Sequence, residues 1–493
     1  MADSLFDNRY RYDYIYPRGR SGETLRAMDS EADNRLVVIK RPAPNDAPPI
    51  RAGQEVSILN ERKALSRLAG HPVLTALLGT GQFSVGGTPH QYIVMERAEG
   101  VIISDLVLEL SARGEYLPEL EMLVIIDHLL DLLQAAHEHD IVYNDVDAKH
   151  LFWDRDQYRL KVIDWGNAVF LEGDESTPQG VSRQSDIAQV GELLYFILTG
   201  GKRIDIPRDA GENFQVNFAE DGARIHSRLQ SIVSRAAHPN LRLRYASIAD
   251  LRKDLNDYRA PIQRERDVIL GRVSDRLRHN RSRDELNGLL HMLDQALAQD
   301  PGYPPARDLY REVLARLQDI EISADLDAVR IYMQNGNWQR AVSLLDELRG
   351  RARGSAAVLT NLLFDLAIIL HDADTRQPPP AVRESIRLIF EGEPVDAAHA
   401  LLTESGSQPL QWLLAERISA HVPDVQLLRP NLYRLDMALR QLAADGVPVS
   451  EPQAVLHEIN ATLDAISGAA NMTISDLRDN YRAVVDGLTA LQT

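Results

Sequence analysis

The chain has 493 residues, 44% of them hydrophobic and 26% charged, enough to bury two or three cores and too apolar overall for wholesale disorder. Lys and Arg number 54 against 72 Asp and Glu, a net charge of −18, which argues against nucleic acid or an anionic membrane as the main partner. Cysteine is absent, so disulfides, thiolate metal sites and thiol catalysis are all excluded.

The opening stretch MADSLFDNRYRYDYIYPRG has no apolar signal-peptide core, and the most apolar later run, VLTNLLFDLAIIL from Val358, is short and interrupted by Asp365. The expectation is a cytoplasmic protein. YPRGRSGETLRAMD, with Gly19 and Gly22, reads as a hairpin whose glycines let backbone approach a ligand closely. RLVVIK, ending in Lys40, and QYIVMER, holding Met95 and Glu96, are short β-branched runs bounded by turn residues, as strands are. Between them NERKALSRLAGHP reads as a helix, where Glu61 is placed to pair with Lys40.

LEMLVIIDHLLDLLQAAHEHD repeats apolar residues at three and four and predicts a helix buried on one side. IVYNDVDAKHLFW comes next, with Asp145, Asp147, Lys149 and His150 set in a run otherwise apolar enough for core; polar groups there need partners or a task. KVIDWGNA then puts Asp164 at a tight turn after a strand, a good position for holding a metal. SDIAQVGELLYFILTGG is an apolar helix with Ser185 or Asp186 near its start and Gly200 at its end. Beyond about 260 strand signals vanish. MLDQALAQDPGYPPA and YMQNGNWQRAVSLLDEL look like halves of tetratricopeptide-like hairpins, although their matching alanines, Ala296 and Ala341, lie farther apart than the usual ~34 residues.

The order of these motifs resembles the eukaryotic-type Ser/Thr protein kinase domain found in bacteria, over roughly residues 8–260. The resemblance implies an α+β bilobal domain, 1–260, with an N-lobe at about 8–96 and a C-lobe at about 97–260. A helical linker (261–285) and an all-helical repeat-like domain (286–493) would come after it. It implies ATP and Mg²⁺ as cofactors, with Mn²⁺ as an alternative ion. Gly19, Gly22, Val38, Lys40, Glu61, Met95, Glu96, Ala98 and Phe152 would bind ATP, Asp145 and Lys149 would be catalytic, and Asp164 and His150 would hold metal. Asp186 would anchor the catalytic loop.

Departures from the family pattern are several. Tyr143-Asn144 replace its His-Arg, the segment after Asp164 is short and lacks Ala-Pro-Glu, and Arg244 is left without its usual glutamate partner. Asp147 stands where a phosphate-contacting lysine is usual, so Lys149 is expected to supply that charge or to pair with Asp147. His150 replaces an asparagine, and either ligates metal or braces Asp145; its nitrogen suits Mn²⁺ better than Mg²⁺. Three readings are open: an atypical kinase acting on a protein hydroxyl, a pseudokinase scaffold, or a small-molecule phosphotransferase. The C-terminal helices are expected either to dock a peptide or protein partner or to pack against the kinase lobe.

Overall fold

The computed structural model describes residues 4–17, 19, 21–171, 180–206, 211–212, 214–279, 282–373, 375, 377–402 and 409–421. Residues 172–179 of the short segment after the Asp164 turn, and the helices expected beyond 421, therefore lie outside the described residues. The chain divides into two compact units, Met1–Val313 and Leu314–Thr493.

The first unit begins with β1 (Ser4–Phe6), β2 (Tyr10–Ile15), β3 (Glu23–Asp29) and β4 (Arg35–Arg41), then α1 (Pro48–Arg67), β5 (Leu77–Val85) and β6 (Thr88–Glu96). The strands form one antiparallel sheet in the order β1-β2-β3-β4-β6-β5. Alternation along β4 separates its faces: Val37 and Ile39 join a core with Leu25, Tyr92 and Val94, and Lys40 sits out of phase with them. In the register with β6, Val38 faces Met95 and Lys40 faces Ile93. Two prolines start α1, and Gln54, Ile58, Glu61, Ala64 and Leu65 recur at three and four to make its buried stripe. Glu61 is on that stripe by spacing alone.

Next come β7 (Val101–Ile102), α2 (Ile103–Ala112), α3 (Glu119–Glu138) and β8 (Ile141–Val142), then β9 (Leu151–Asp154), β10 (Arg159–Val162) and β11 (Val169–Phe170). The lobe is completed by α4 (Arg183–Leu198) and α5 (Ser227–Ala236). Helix α3 is the lobe's central post, with Ile125, Ile126, Leu129, Leu130, Leu132 and Leu133 fully buried. Two short antiparallel pieces, β10-β9-β7 and β11-β8, fix the loops at its upper rim.

Three long helices come next in sequence: α6 (Ile248–His279), α7 (Arg283–Gln299) and α8 (Pro304–Gln334). The first compact unit ends at Val313, beyond the boundary expected at 260, and the reason is local. Pro261 lies inside α6 without ending it. The ring removes the amide that would bond Asp257's carbonyl, and the Arg228 guanidinium lies 3.5 Å from that oxygen instead. Past the proline, Arg266 and Asp300 form a buried pair at 2.9 Å, joined by the Tyr158 hydroxyl at 2.6 Å.

The second unit contains α9 (Trp338–Arg351), α10 (Gly354–Asp372), α11 (Pro380–Phe390), α12 (Pro394–Leu402) and α13 (Pro409–Ala420) around one apolar core. The chain is thus a bilobal α+β domain with an all-helical region after it. Helix α10 is long and apolar enough to cross a membrane by composition, but Leu362, Leu363, Leu366 and Leu370 pack in this core, and Asp365 pairs with Arg417 and His421. Ala296 and Ala341, the matching positions of the two hairpin halves, are both fully buried yet fall in different compact units.

Candidate functional site

Lys40 projects from β4 into the space beneath the sheet. Its Nζ lies 2.8 Å from each carboxylate oxygen of Glu61 and 3.0 Å from Asp164 Oδ1. Burial works against the ammonium, but the two carboxylates outweigh it and raise its pKa. Burial pushes the Glu61 carboxyl up, and Lys40 pulls it back. Asp164 is also largely buried, yet Lys40 holds it below the ordinary carboxylate range.

Asp164 has φ 65° and ψ 68°, a left-handed conformation uncommon outside glycine. Its neighbours on the C-terminal side impose that conformation. Trp165 is fully buried and packs against Tyr143 with ring centres 4.5 Å apart and planes tilted by 45°, and the Tyr143 hydroxyl donates to the Ile163 carbonyl at 2.7 Å. Gly166 passes so close to α1 that a Cβ there would lie 2.1 Å from Ser57 Oγ. These contacts aim the Asp164 carboxylate at Lys40.

The second acidic residue is fixed from below. Asp186 on α4 is fully buried; Oδ1 accepts from the Asn144 amide at 2.7 Å, and Oδ2 accepts from the Tyr143 amide at 3.0 Å and lies 2.8 Å from His137 Nε2. Gln189, one turn on, accepts from the Val146 amide at 2.9 Å and donates to the Asn144 carbonyl at 3.2 Å. Asn144 is held at φ 60°. Asp145 thereby points toward the Asp164 turn, where Asn167 Nδ2 donates to its Oδ2 at 2.9 Å. His150 lies between the two carboxylates, with Nδ1 3.1 Å from the Asp145 carbonyl and Nε2 3.5 Å from Asp164 Oδ2.

Lys149 is placed differently from these. Its ammonium pairs with Asp147 at 3.3 Å on the half-exposed side of the loop, and Asp147 also accepts from the Lys149 amide at 3.0 Å, capping a short turn. Of the two expectations for Lys149, this geometry is the pair with Asp147.

The remaining expected residues lie on the β2–β3 hairpin, strands β4, β6 and β9, and the connector after β6. Gly19 and Gly22 bridge across the β2–β3 hairpin, and Gly22, at φ 108°, leaves no room for a Cβ beside the Arg41 carbonyl. Val38 and Phe152 are half-buried, and Met95 is buried opposite Val38. Ala98 lies half-buried in the connector after β6. The Glu96 side chain turns to the connector's back, accepting from the Ala76 amide at 3.1 Å and from Lys161 at 2.9 Å.

Sequence reasoning missed Asn167, Gln189, His137 and Lys161. Gln189 had a signal, since it lies one turn from Asp186 on the same helix face; the other three depend on pairings across the fold. Arg244, for which the sequence offered no partner, donates to the carbonyls of His238 and Gln184, both at 2.8 Å.

A buried lysine–glutamate pair under a curled antiparallel sheet, with two aspartates on loops of a helical lobe facing it, is the arrangement of a protein-kinase fold. Comparison with known proteins agrees: residues 16–187 match the protein kinase domain family. The chain is similar to the serine/threonine-protein kinase PknB of Mycolicibacterium smegmatis, 26% identical over 212 residues, 38% of this chain and 33% of that one. The PknB of Mycobacterium tuberculosis is likewise 26% identical over 212 residues, with the same shares. A probable serine/threonine-protein kinase PknB of Lactococcus lactis is 24% identical over 281 residues, 51% of this chain and 42% of that one. The chain thus spans under half the length of these curated relatives.

Protein kinases use ATP with Mg²⁺. The donor set present suits a divalent cation: Asp145, His150 and Asp164 each offer one ligand atom within 4.8 Å of the others.

Proposed function

We propose that the first unit is an atypical serine/threonine protein kinase that transfers the γ-phosphate of ATP to a protein hydroxyl. The observation that carries this reading is the convergence of Lys40, paired with Glu61, and Asp164 on one cleft, with Asp145 linked to the Asp164 turn through Asn167. Lys40, held in place by Glu61, would grip the α- and β-phosphates between the Gly19–Gly22 hairpin and the Asp164 turn. Val38, Met95 and Phe152 would enclose the adenine, and the backbone at Glu96 and Ala98 would border it. Asp164 and His150 would hold the cation, whose charge neutralises the phosphates when bound. Asp145 orients the acceptor hydroxyl and takes its proton as the new oxygen–phosphorus bond forms. The bond from the γ-phosphorus to its bridging oxygen breaks, and ADP leaves.

Beside the catalytic loop a cavity of about 440 Å³ opens between Val146 and Ala148 on one side and Leu193 and Phe196 of α4 on the other. In this reading the acceptor segment lies there, on a surface suited to a protein chain. The helical unit recruits a protein partner, with no part for nucleic acid or membrane, and the protein is cytoplasmic.

A second reading, a nucleotide-binding pseudokinase scaffold, is favoured by the position of Lys149, whose charge is taken by Asp147. Radiolabelled ATP with the wild type, Asp145→Asn and Asp164→Asn separates the readings. Label on the chain or on a protein acceptor, lost in both variants, is the expected result. A nucleotide-dependent melting shift without transfer supports the scaffold, and label confined to an added metabolite supports a small-molecule phosphotransferase.

A further inference from the structure

Asn167 closes the Asp164 turn, and the strand after it fixes where its side chain reaches. Residues 165–167 form one short helical turn, in which the Ala168 amide donates to the Trp165 carbonyl at 3.1 Å. β11 then pairs antiparallel with β8, Val169 opposite Val142. Asn167 comes just before Val169 and Asp145 just after Val142, so the pairing brings both to the same end of the ribbon. There Asn167 Nδ2 lies 2.9 Å from Asp145 Oδ2. An ionised carboxylate only accepts, so the amide donates, and a neutral donor leaves the aspartate's charge uncancelled. The nearby ammonium groups are engaged elsewhere, Lys149 by Asp147 and Lys40 by Glu61 and Asp164. His150 Nδ1 lies 3.1 Å from the Asp145 carbonyl but 3.8 Å from Oδ2, too far for a hydrogen bond to the side chain. Among the described residues no donor bonds Oδ1. One carboxylate oxygen is committed and the other is open.

Resting on the reading of the cleft as a kinase site, we propose that Asn167 is a positioning residue, holding Asp145 Oδ2 so that Oδ1 alone meets the acceptor hydroxyl. In the transfer step the hydroxyl proton passes to Oδ1 as its oxygen bonds the γ-phosphorus, and the bridging oxygen leaves with ADP. A carboxylate free to rotate would present either oxygen at many angles. Pinning one oxygen removes that freedom before the acceptor arrives, which is how orientation lowers a barrier. Asn167 touches neither nucleotide nor acceptor in this role and acts through Asp145.

The test uses the full chain and radiolabelled ATP with Mg²⁺, comparing the wild type with Asn167→Ala and Asn167→Asp. Asn167 is exposed, so neither change should disturb folding, and thermal melting checks this. Asn167→Ala is expected to lower kcat about 10–100-fold, with KM for ATP and the affinity for ADP within about 2-fold of the wild type. Asn167→Asp keeps the size but has no hydrogen to give and sets a like charge against Asp145. Its kcat should fall at least as far, whereas a space-filling role would leave it active. In the Asp145→Asn background Asn167→Ala should cost little more, because the two groups act as a unit. A wild-type rate retained in Asn167→Asp overturns the proposal. So do costs that add in the Asp145→Asn background, or a rate loss matched by a loss of ADP affinity. In each of these the wild type's own transfer upholds the kinase reading. A wild type that transfers no phosphate removes that reading and this role with it.

Discussion

At the scale of single residues, Ser57 and Gly166 constrain one another where α1 meets the Asp164 turn. The Ser57 hydroxyl is buried with no hydrogen-bond partner among the described residues, and it occupies the space a side chain at 166 would need. An unmatched buried hydroxyl is unfavourable, so Ser57→Ala is expected to stabilise the protein by about 1 kcal/mol. Gly166→Ala alone must displace α1 or force Ser57 out of its rotamer, at a cost of roughly 1–3 kcal/mol. In the Ser57→Ala background the obstructing atom is gone, and most of that cost should disappear. Urea unfolding of the four proteins closes the cycle. Equal costs for Gly166→Ala in both backgrounds would show that the 166 position is strained by something other than α1.

At the scale of elements, α1 matters most, because Glu61 reaches Lys40 only while that helix stays against the cleft. Its outer end is held by Phe170 of β11, whose ring carries the Lys63 ammonium at 4.0 Å and the Arg67 guanidinium at 5.1 Å. Phe170 is itself fixed by the pairing of β11 with β8, where it faces Ile141. Contacts of this kind contribute about 0.5–2 kcal/mol. Phe170→Ala should therefore loosen α1 and weaken ADP binding several-fold, measured by calorimetry, while Asp145 and its loop keep their Asp186 anchors. Undiminished ADP affinity would mean that the Lys40–Glu61 pair and the Asn60 side chain, 3.5 Å from the Gly166 carbonyl, hold α1 without Phe170. None of this was legible in the sequence, where VF at 169–170 is two apolar residues in a short segment. Lys40, Asp145 and Asp164 were legible because each ends or comes just after a strand signal, and local pattern fixes such positions. Asn167 and Lys161 were not, because their roles arise only when distant strands meet. For Lys149 the sequence left two placements open, and a carboxylate two residues away settled which one the structure adopts.

At the scale of the first unit as a whole, the lobe's lower surface is completed by chain beyond 260. Strand signals end near 260, which reads as a boundary, yet α6 continues through Pro261 and delivers Arg266 to Asp300. Both are almost wholly buried, the Arg266 guanidinium lies 3.4 Å from the Tyr303 ring centre, and the Tyr158 hydroxyl donates to the same Asp300 oxygen. Burial raises the Asp300 carboxyl above its ordinary range even though Tyr158 and Arg266 both stabilise its charge. Such a pair contributes little net stability, but breaking it strands a charge. Arg266→Ala in the full chain is expected to lower unfolding stability by about 3–5 kcal/mol, because Asp300 then keeps only Tyr158. The triple change Arg266→Met, Asp300→Leu, Tyr158→Phe removes every polar member at similar volume, and should fall within about 1–2 kcal/mol of the native protein. Calorimetric or urea unfolding of both variants decides. If the triple variant is as unstable as Arg266→Ala, it is packing around the α7–α8 turn that joins this segment to the lobe. If it recovers, the pairing of charges explains the cost of losing either partner, and a kinase lobe cut at 260 would expose the apolar and aromatic surface that α7 and the start of α8 cover.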